Sequence, residues 1–434
     1  MFRRVLVANR GEIALRIIRA CRELGLTSVL AHSEADAHSL PARQADERVC
    51  IGPARACSSY LDARRLAAAA LAFRCDALHP GYGFLSESPA LAEACAQAGV
   101  AFVGPTAATL RALGDKIEAR RLAREADVPV IPGSSGAVAD AREAAQAAAA
   151  TGYPVLLKAA AGGGGRGIRR ADSAQDLERQ FAEAQAEALS AFGDGRLYVE
   201  ALLTGMRHVE VQVLGDGQGR AVHLFERDCS LQRRRQKLME EAPAALIPAQ
   251  TRRAIQDAAV RLAQSLAYAG AGTVEFLVRG EAFHFMEVNA RLQVEHGVTE
   301  LVTGTDLVAA QIRVAAGCGL PWKQREIALS GHAIECRINA EDPVSLAPSP
   351  GTVARLTLPG GPGVRVDAHL EPGAEVTLWY DSLVAKILVH HATRDQARAR
   401  MLRALDEFAV TGIRTNVSLL RAALAEDRFA EASV

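Results

Sequence analysis

The sequence predicts an α/β protein whose first third is a doubly wound parallel sheet, and three observations carry that prediction. Short apolar runs recur between residues 5 and 103. Helical patterns separate them. Polar, glycine-bearing segments follow two of the runs, where ligands of such sheets bind, beyond the carboxyl ends of strands. Val5-Leu6-Val7-Ala8 is the first strand, and Gly11 opens a helix with Ile13, Ile17 and Cys21 on one side, ending near Gly25. Val29-Leu30-Ala31, Val49-Cys50-Ile51, Ala77-Leu78 and Val100-Ala101-Phe102-Val103 continue the strands. Ala/Leu-rich helices fit at about 62–73 and 88–98. The strand ends carry Asn9-Arg-Gly-Glu12 and His79-Pro-Gly-Tyr-Gly-Phe-Leu-Ser-Glu87.

Beyond this sheet the pattern changes twice. Pro129 and Pro132-Gly-Ser-Ser-Gly136 read as a linker, followed by a small module near 130–203. It holds an Ala-rich helix (140–150), the strand Tyr153-Pro-Val-Leu-Leu-Lys158, a glycine run, and a helix entered through Ser173-x-x-Asp176. Residues 205–330 mix strands (Val209–Leu214, Thr273–Val278) with helices at about 250–268 and 304–316. From Gly331, Pro and Gly cluster with short strand signals, and a helix at 393–408 follows. Three domains are expected, at 1–113, 114–330 and 331–434.

Composition narrows the function classes. Of 434 residues, 49% are apolar and 23% charged, which is globular and not disordered. Fifty basic and 50 acidic residues give zero formal net charge, so no nucleic-acid partner is expected. No apolar run nears the roughly 18 residues of a membrane span, so no membrane association is expected. Eight cysteines without zinc spacing suggest reduced thiols and a cytoplasmic setting.

Chemistry concentrates in three places. Gly162-Gly-Gly-Gly-Arg-Gly167 follows a strand, and its backbone can approach phosphate closely. It matches G-x-G-x-x-G, but the following Ile168-Arg-Arg-Ala reads as a strand where a dinucleotide fold needs a helix. Ile168 also stands where a P-loop needs Lys. A glycine-rich lid remains, with a plain flexible turn as the alternative. Lys158, ending the strand before the loop, is placed for phosphate or is a snorkelling surface lysine.

Thr273–Val278 and Phe283–Asn289 form a hairpin, with Glu275 and Glu287 inside its apolar arms. With Asn289 they make an oxygen site suited to Mg²⁺, since isolated carboxylates there would be costly. If the chain stays extended, strand parity puts Glu287, Asn289, Arg291, Gln293 and Glu295 on one face. A structural Arg–Glu network is the alternative. Asp228–Lys237 is densely basic, without the aromatics of a single-strand binder.

These motifs, with Ala8-Asn-Arg-Gly-Glu-Ile-Ala14, Glu226-Arg-Asp-Cys-Ser230, Arg291-x-Gln-Val-Glu-His296 and Glu335-Cys-Arg-Ile-Asn-Ala-Glu-Asp342, resemble the biotin carboxylases of the ATP-grasp superfamily from about residue 2 to 425. The resemblance implies an ATP-grasp central domain with a glycine-rich lid and an α+β C-terminal domain. It implies carboxylation of biotin by bicarbonate through carboxyphosphate, with ATP and biotin as substrates and Mg²⁺ (or Mn²⁺) as cofactor. Lys116, Lys158, Gly164, Gly165, His208 and Gln232 are then expected to hold ATP, with Glu200, Leu202 and Leu203 at an adenine hinge. Glu275 and Glu287 are expected on both nucleotide and metal, with Asn289 on the metal. Lys237, Arg291, Gln293 and the Val294 backbone are expected on bicarbonate, and Glu295 as its base. Arg337, Tyr82 and Gly83 are expected on biotin. A biotin carrier domain and a carboxyltransferase component of an acyl-CoA carboxylase are the implied partners, and a homodimer is compatible with it. The same domain in a urea or pyruvate carboxylase, or another carboxylate–amine ligase, is the alternative. The chain departs from the family pattern at Arg235, where His is usual, and at Gly297, where Pro is usual and a looser turn is expected. It also ends before a segment expected to close over adenine, as a piece of a longer polypeptide would.

Overall fold

The computed structural model describes residues 1–161, 167–234 and 236–430. Strands β1 (Arg4–Val7), β2 (Thr27–His32), β3 (Glu47–Cys50), β4 (Ala77–His79) and β5 (Ala101–Phe102) form one parallel sheet in the order β3-β2-β1-β4-β5. This is the doubly wound sheet expected. The first helix spans Gly11–Glu23 and buries Ile13, Ile17 and Cys21, the stripe its periodicity marks. Asn9, just past β1, donates to the carbonyls of Pro80 and Tyr82 at 2.7 Å each and ties the two strand-end loops together.

The lid is a three-stranded antiparallel sheet of β6 (Val155–Ala159), β7 (Ile168–Ala171) and β8 (Leu197–Ala201), with β6 in the centre. Helices Ala141–Thr151 and Ala174–Phe192 cover it, and the Ser173 side chain caps the second by accepting from the Asp176 N–H. Val155, Leu157, Leu177, Phe181 and Val199 give the lid a core of its own. Four of the glycines between β6 and β7, residues 162–165 and so Gly164 and Gly165, lie outside the described residues, as does Arg235.

The next strands are β9 (Arg207–Asp216), β10 (Ala221–Asp228), β11 (Gln232–Arg233), β12 (Gln236–Lys237), β13 (Met239–Ala242), β14 (Ala269–Arg279), β15 (Ala282–Asn289) and β16 (His332–Asn339). After them come β17 (Gly351–Thr352), β18 (Arg355–Thr357), β19 (Val364–Ala368), β20 (Glu375–Val376), β21 (Leu383–His391) and β22 (Ala409–Thr411). One eight-stranded antiparallel sheet runs β15-β14-β9-β10-β13-β16-β21-β19. It crosses the expected boundary at residue 330: β13 pairs with β16, so hydrogen bonding is continuous from the central strands into the C-terminal ones. Helix Ala249–Ser265 packs under β9 and β10, and helix Arg394–Glu407 under β21 and β16.

Candidate functional site

One cavity of about 890 Å³ opens over the exposed face of this sheet, lined from all three parts of the chain. The sheet register explains why charge collects there. Glu275 of β14 lies directly opposite Glu287 of β15 on one side and Glu210 of β9 on the other. Arg227 of β10 continues the row beside Glu210. Three carboxylates in adjacent strands repel one another unless cations join them. Lys237, brought in by the short β11–β12 hairpin, does this for two of them and for Glu295 beyond the row: its ammonium is 2.6 Å from Glu210, 2.9 Å from Glu275 and 2.8 Å from Glu295. Burial would lower the Lys237 pKa, but the three carboxylates hold it well above the usual lysine range. Lys237 and Gln232 thus turn inward from the basic segment Asp228–Lys237.

Glu295 is fully buried. Burial alone would raise its carboxyl, but Lys237, Arg337 and Arg227 outweigh burial and hold it well below the usual carboxylate range. Arg337 reaches Glu295 at 2.9 Å and Glu240 at 2.5 Å. Sequence proximity points to Arg291 as the cation that keeps Glu295 ionised, but the cations that dominate are Lys237 and Arg337. Arg291 is held instead by Glu87 at 3.0 Å, and it donates to Gln293 and Asn289 at 2.9 and 3.1 Å.

The condition for a shared face, a chain extended through Glu295, is not met. β15 ends at Asn289, the Ala290 N–H turns to Glu87, and a helix starts at His296. Arg291 and Gln293 reach the cavity wall, and Glu295 reaches the wall cations Lys237 and Arg337 from beneath, because this segment turns, not because they share strand parity. Gly297 lies in the first turn of helix His296–Thr303 and is buried, not in a loosened turn. A Cβ there would press into the Leu388 side chain, which occupies the space a larger residue needs.

Glu275, Glu287 and Asn289 all line the cavity, and the two carboxylates present hard oxygens from facing strand positions. Glu275 is also 2.9 Å from His208 and accepts from Asn289 at 2.8 Å. Burial pushes its carboxyl up, but Lys237 and His208 prevail and keep it ionised. Lys116 is 3.6 Å from Glu287, and Gln232 lies 2.7 Å from His208.

Lys158 is buried, 2.7 Å from Glu200, and is no surface lysine. Glu200 also pairs with Arg120, and neither it, Leu202 nor Leu203 lines the cavity. Tyr82 and Gly83 do, as do Gln293 and Val294. Sequence reasoning missed Glu210, Arg227, Glu87 and Glu240. For Glu210 a signal exists: Val209, Val211 and Val213 alternate with Glu210 and Gln212, so the strand is legible as having one polar face.

This architecture, a three-stranded lid beside an antiparallel sheet carrying a row of acids, defines an ATP-dependent ligase of the ATP-grasp type. Three family models match: Biotin carboxylase, N-terminal domain (residues 1–110); Carbamoyl-phosphate synthase L chain, ATP binding domain (115–323); and Biotin carboxylase C-terminal domain (335–434). The biotin carboxylase of Pseudomonas aeruginosa is 49% identical over 435 residues, covering 100% of this chain and 97% of that protein. The mitochondrial propionyl-CoA carboxylase alpha chain of Homo sapiens is 46% identical over 100% of this chain and 60% of its own length. Among solved structures, the biotin carboxylase domain dimer of Hydrogenobacter thermophilus 2-oxoglutarate carboxylase, with MgADP, ADP and bicarbonate, superposes with a TM-score of 0.95. It is 44% identical and covers 99% of this chain and 95% of that one. The chain belongs to the biotin carboxylase family.

Among the described residues no helix is long and apolar enough to cross a membrane. All eight cysteines are free thiols.

Proposed function

We propose that the chain uses ATP to activate bicarbonate as carboxyphosphate and carboxylates a carrier-bound biotin. The observation that carries this reading is Glu295, buried and kept ionised between Lys237 and Arg337, two residues in the wall of a cavity that also holds the Glu275–Glu287 pair. An ionised, buried carboxylate is suited to take the bicarbonate proton once substrate displaces a competing cation. Lys237, Arg291, Gln293 and the Val294 backbone would bind bicarbonate and orient it toward the γ-phosphate. Glu275 and Glu287, assisted by Asn289, would hold Mg²⁺, which neutralises charge on the transferring phosphoryl oxygens. Lys116, Lys158, His208 and Gln232 would add cations and donors along the phosphates and ribose. The lid glycines and the Glu200–Leu203 segment would close over the nucleotide, the latter through its backbone because Glu200 is paired to Lys158 and Arg120.

Arg337 would face the biotin ureido oxygen, beside Tyr82 and Gly83, where charge develops only when the ureido nitrogen is deprotonated. The test is phosphate release with and without free biotin, beside carboxybiotin formation. Arg337→Ala should lose carboxybiotin formation while biotin-independent, bicarbonate-dependent ATP hydrolysis survives. Equal loss of both assigns Arg337 elsewhere.

We infer further that the chain supplies the first half-reaction of an acyl-CoA carboxylase. The human propionyl-CoA carboxylase relative, matched over the whole of this chain, supports this. Partners would be a biotin carrier domain and a carboxyltransferase component, and the dimeric relative supports a homodimer. Assaying the native complex against acyl-CoAs, pyruvate, urea and 2-oxoglutarate decides the acceptor, and transfer to pyruvate alone would overturn the acyl-CoA assignment.

A further inference from the structure

In the register of β16 and β21, Lys386 stands directly opposite Arg337, and Asp367 of β19 lies on its other side. Arg337 lines the cavity, whereas the Lys386 side chain is completely buried beneath it. The Lys386 ammonium donates to the Val294 carbonyl at 2.6 Å. It also lies 3.4 Å from Glu12 and 3.8 Å from Asp367. Glu12, in turn, accepts the Tyr82 hydroxyl. One ammonium therefore stands between the segment that carries Glu295 and the loop that carries Tyr82.

A charge buried this deeply needs a reason. Burial favours the neutral amine, but Glu12, Glu335 and Asp367 outweigh it and keep Lys386 protonated. Well-packed apolar residues often replace buried ion pairs at no loss of stability, so packing alone does not explain an ion here. The carbonyl contact does. A peptide unit is planar, so anchoring the Val294 carbonyl fixes the plane of the Val294–Glu295 peptide. That plane sets where the Glu295 side chain starts and how the Val294 backbone faces the cavity.

We propose that Lys386 is a positioning residue for carboxylation, which presents Val294 and Glu295 to bicarbonate by holding the Val294 carbonyl. The proposal rests on the bicarbonate assignment made above. Lys386 acts through these groups and does not line the cavity itself.

The test measures phosphate release by the full chain with MgATP and varied bicarbonate, without biotin. It compares wild type, Lys386→Met, and the double variant Lys386→Met with Glu12→Gln, which removes an anion together with its cation. The KM for bicarbonate should rise roughly tenfold or more, as for loss of a charge-assisted hydrogen bond. The KM for ATP should stay within about twofold, because the nucleotide side of the cavity has no contact with Lys386. Equal rises in both constants overturn the proposal, as does an unchanged KM for bicarbonate. Failure of both variants to fold also overturns it, since Lys386 then serves the fold and not the turn. A wild type without bicarbonate-dependent turnover overturns instead the functional reading on which the proposal stands.

Discussion

In the lid, Arg169 reaches Glu183 at 2.8 Å and Glu187 at 2.9 Å, and those two carboxylates are 68% and 50% exposed. Beneath the cavity, Lys237 meets three carboxylates at similar distances, and all three are buried. The geometries match; the surroundings do not. Exposed pairs are screened by water and lose side-chain entropy, so they contribute little to stability. Buried ions lose hydration, and their mutual attraction only offsets that loss while every partner is present. The lid is accordingly held by its apolar core, with Leu157, Phe181 and Val199 at its centre. The cavity floor keeps a charge row whose parts depend on one another.

The largest effect expected from this contrast is on rate. Glu295→Ala should lower turnover roughly 10²–10⁴-fold by removing the proposed base, while ATP affinity changes little. Steady-state phosphate release beside equilibrium nucleotide binding measures both, and equal losses would make Glu295 structural. Next comes Lys237→Met, which strands Glu210, Glu275 and Glu295 without their shared cation. Unfolding should become easier by about 3–5 kcal/mol, as for other broken buried pairs. A denaturant midpoint equal to wild type would place the floor on the same footing as the lid.

A smaller effect depends on pH. Burial raises the Glu240 carboxyl from 4.5 to about 7, despite the neighbouring Arg337. Below 4.5 the group is protonated folded or unfolded and has no net effect; above about 7 the folded state carries the full cost of the buried charge. Stability should therefore fall as pH rises through that window, by something on the order of 3 kcal/mol. Glu240→Gln should flatten that part of a melting-temperature profile, and a profile parallel to wild type would show that Glu240 is not the group responsible. Arg169→Ala gives the smallest effect. The change should stay within about 1 kcal/mol and shrink further in high salt, and a larger loss would mean that the lid relies on its ion pairs.

Much of the site is legible in the amino-acid sequence. Glu275 and Glu287 stand in the two arms of a hairpin, and the β14–β15 register places them opposite each other as that pattern requires. Arg291, Gln293 and Glu295 are also legible, but on a geometric ground that does not hold. Parity predicts one face of a strand, whereas Glu87 from the N-terminal sheet takes the Ala290 N–H and turns the chain. Glu210 is half visible, since its strand alternates, but alternation names a face and not the partner across it. Glu240 and Lys386 carry no local signal, because their partners Arg337, Glu12 and Asp367 and the Val294 carbonyl are distant in sequence.

By itself, the sequence determined the parallel first sheet, the lid module between its linkers, the hairpin with its facing carboxylates and the motif string of the biotin carboxylases. All of these depend on periodicity or contiguous residues, which local propensity and patterning specify. Only the tertiary structure decided that β13 and β16 join the central and C-terminal strands into one sheet. That pairing sets Glu240 opposite Glu335 and, through β21, Arg337 opposite Lys386. Long-range register is chosen by burial of whole faces and the closure of distant loops, quantities that belong to the assembled chain and not to any window of it. The charges that keep Glu295 ionised are therefore a property of the fold: Lys237 and Arg337 stand 58 and 42 residues from it in the chain, within 3 Å of it in space.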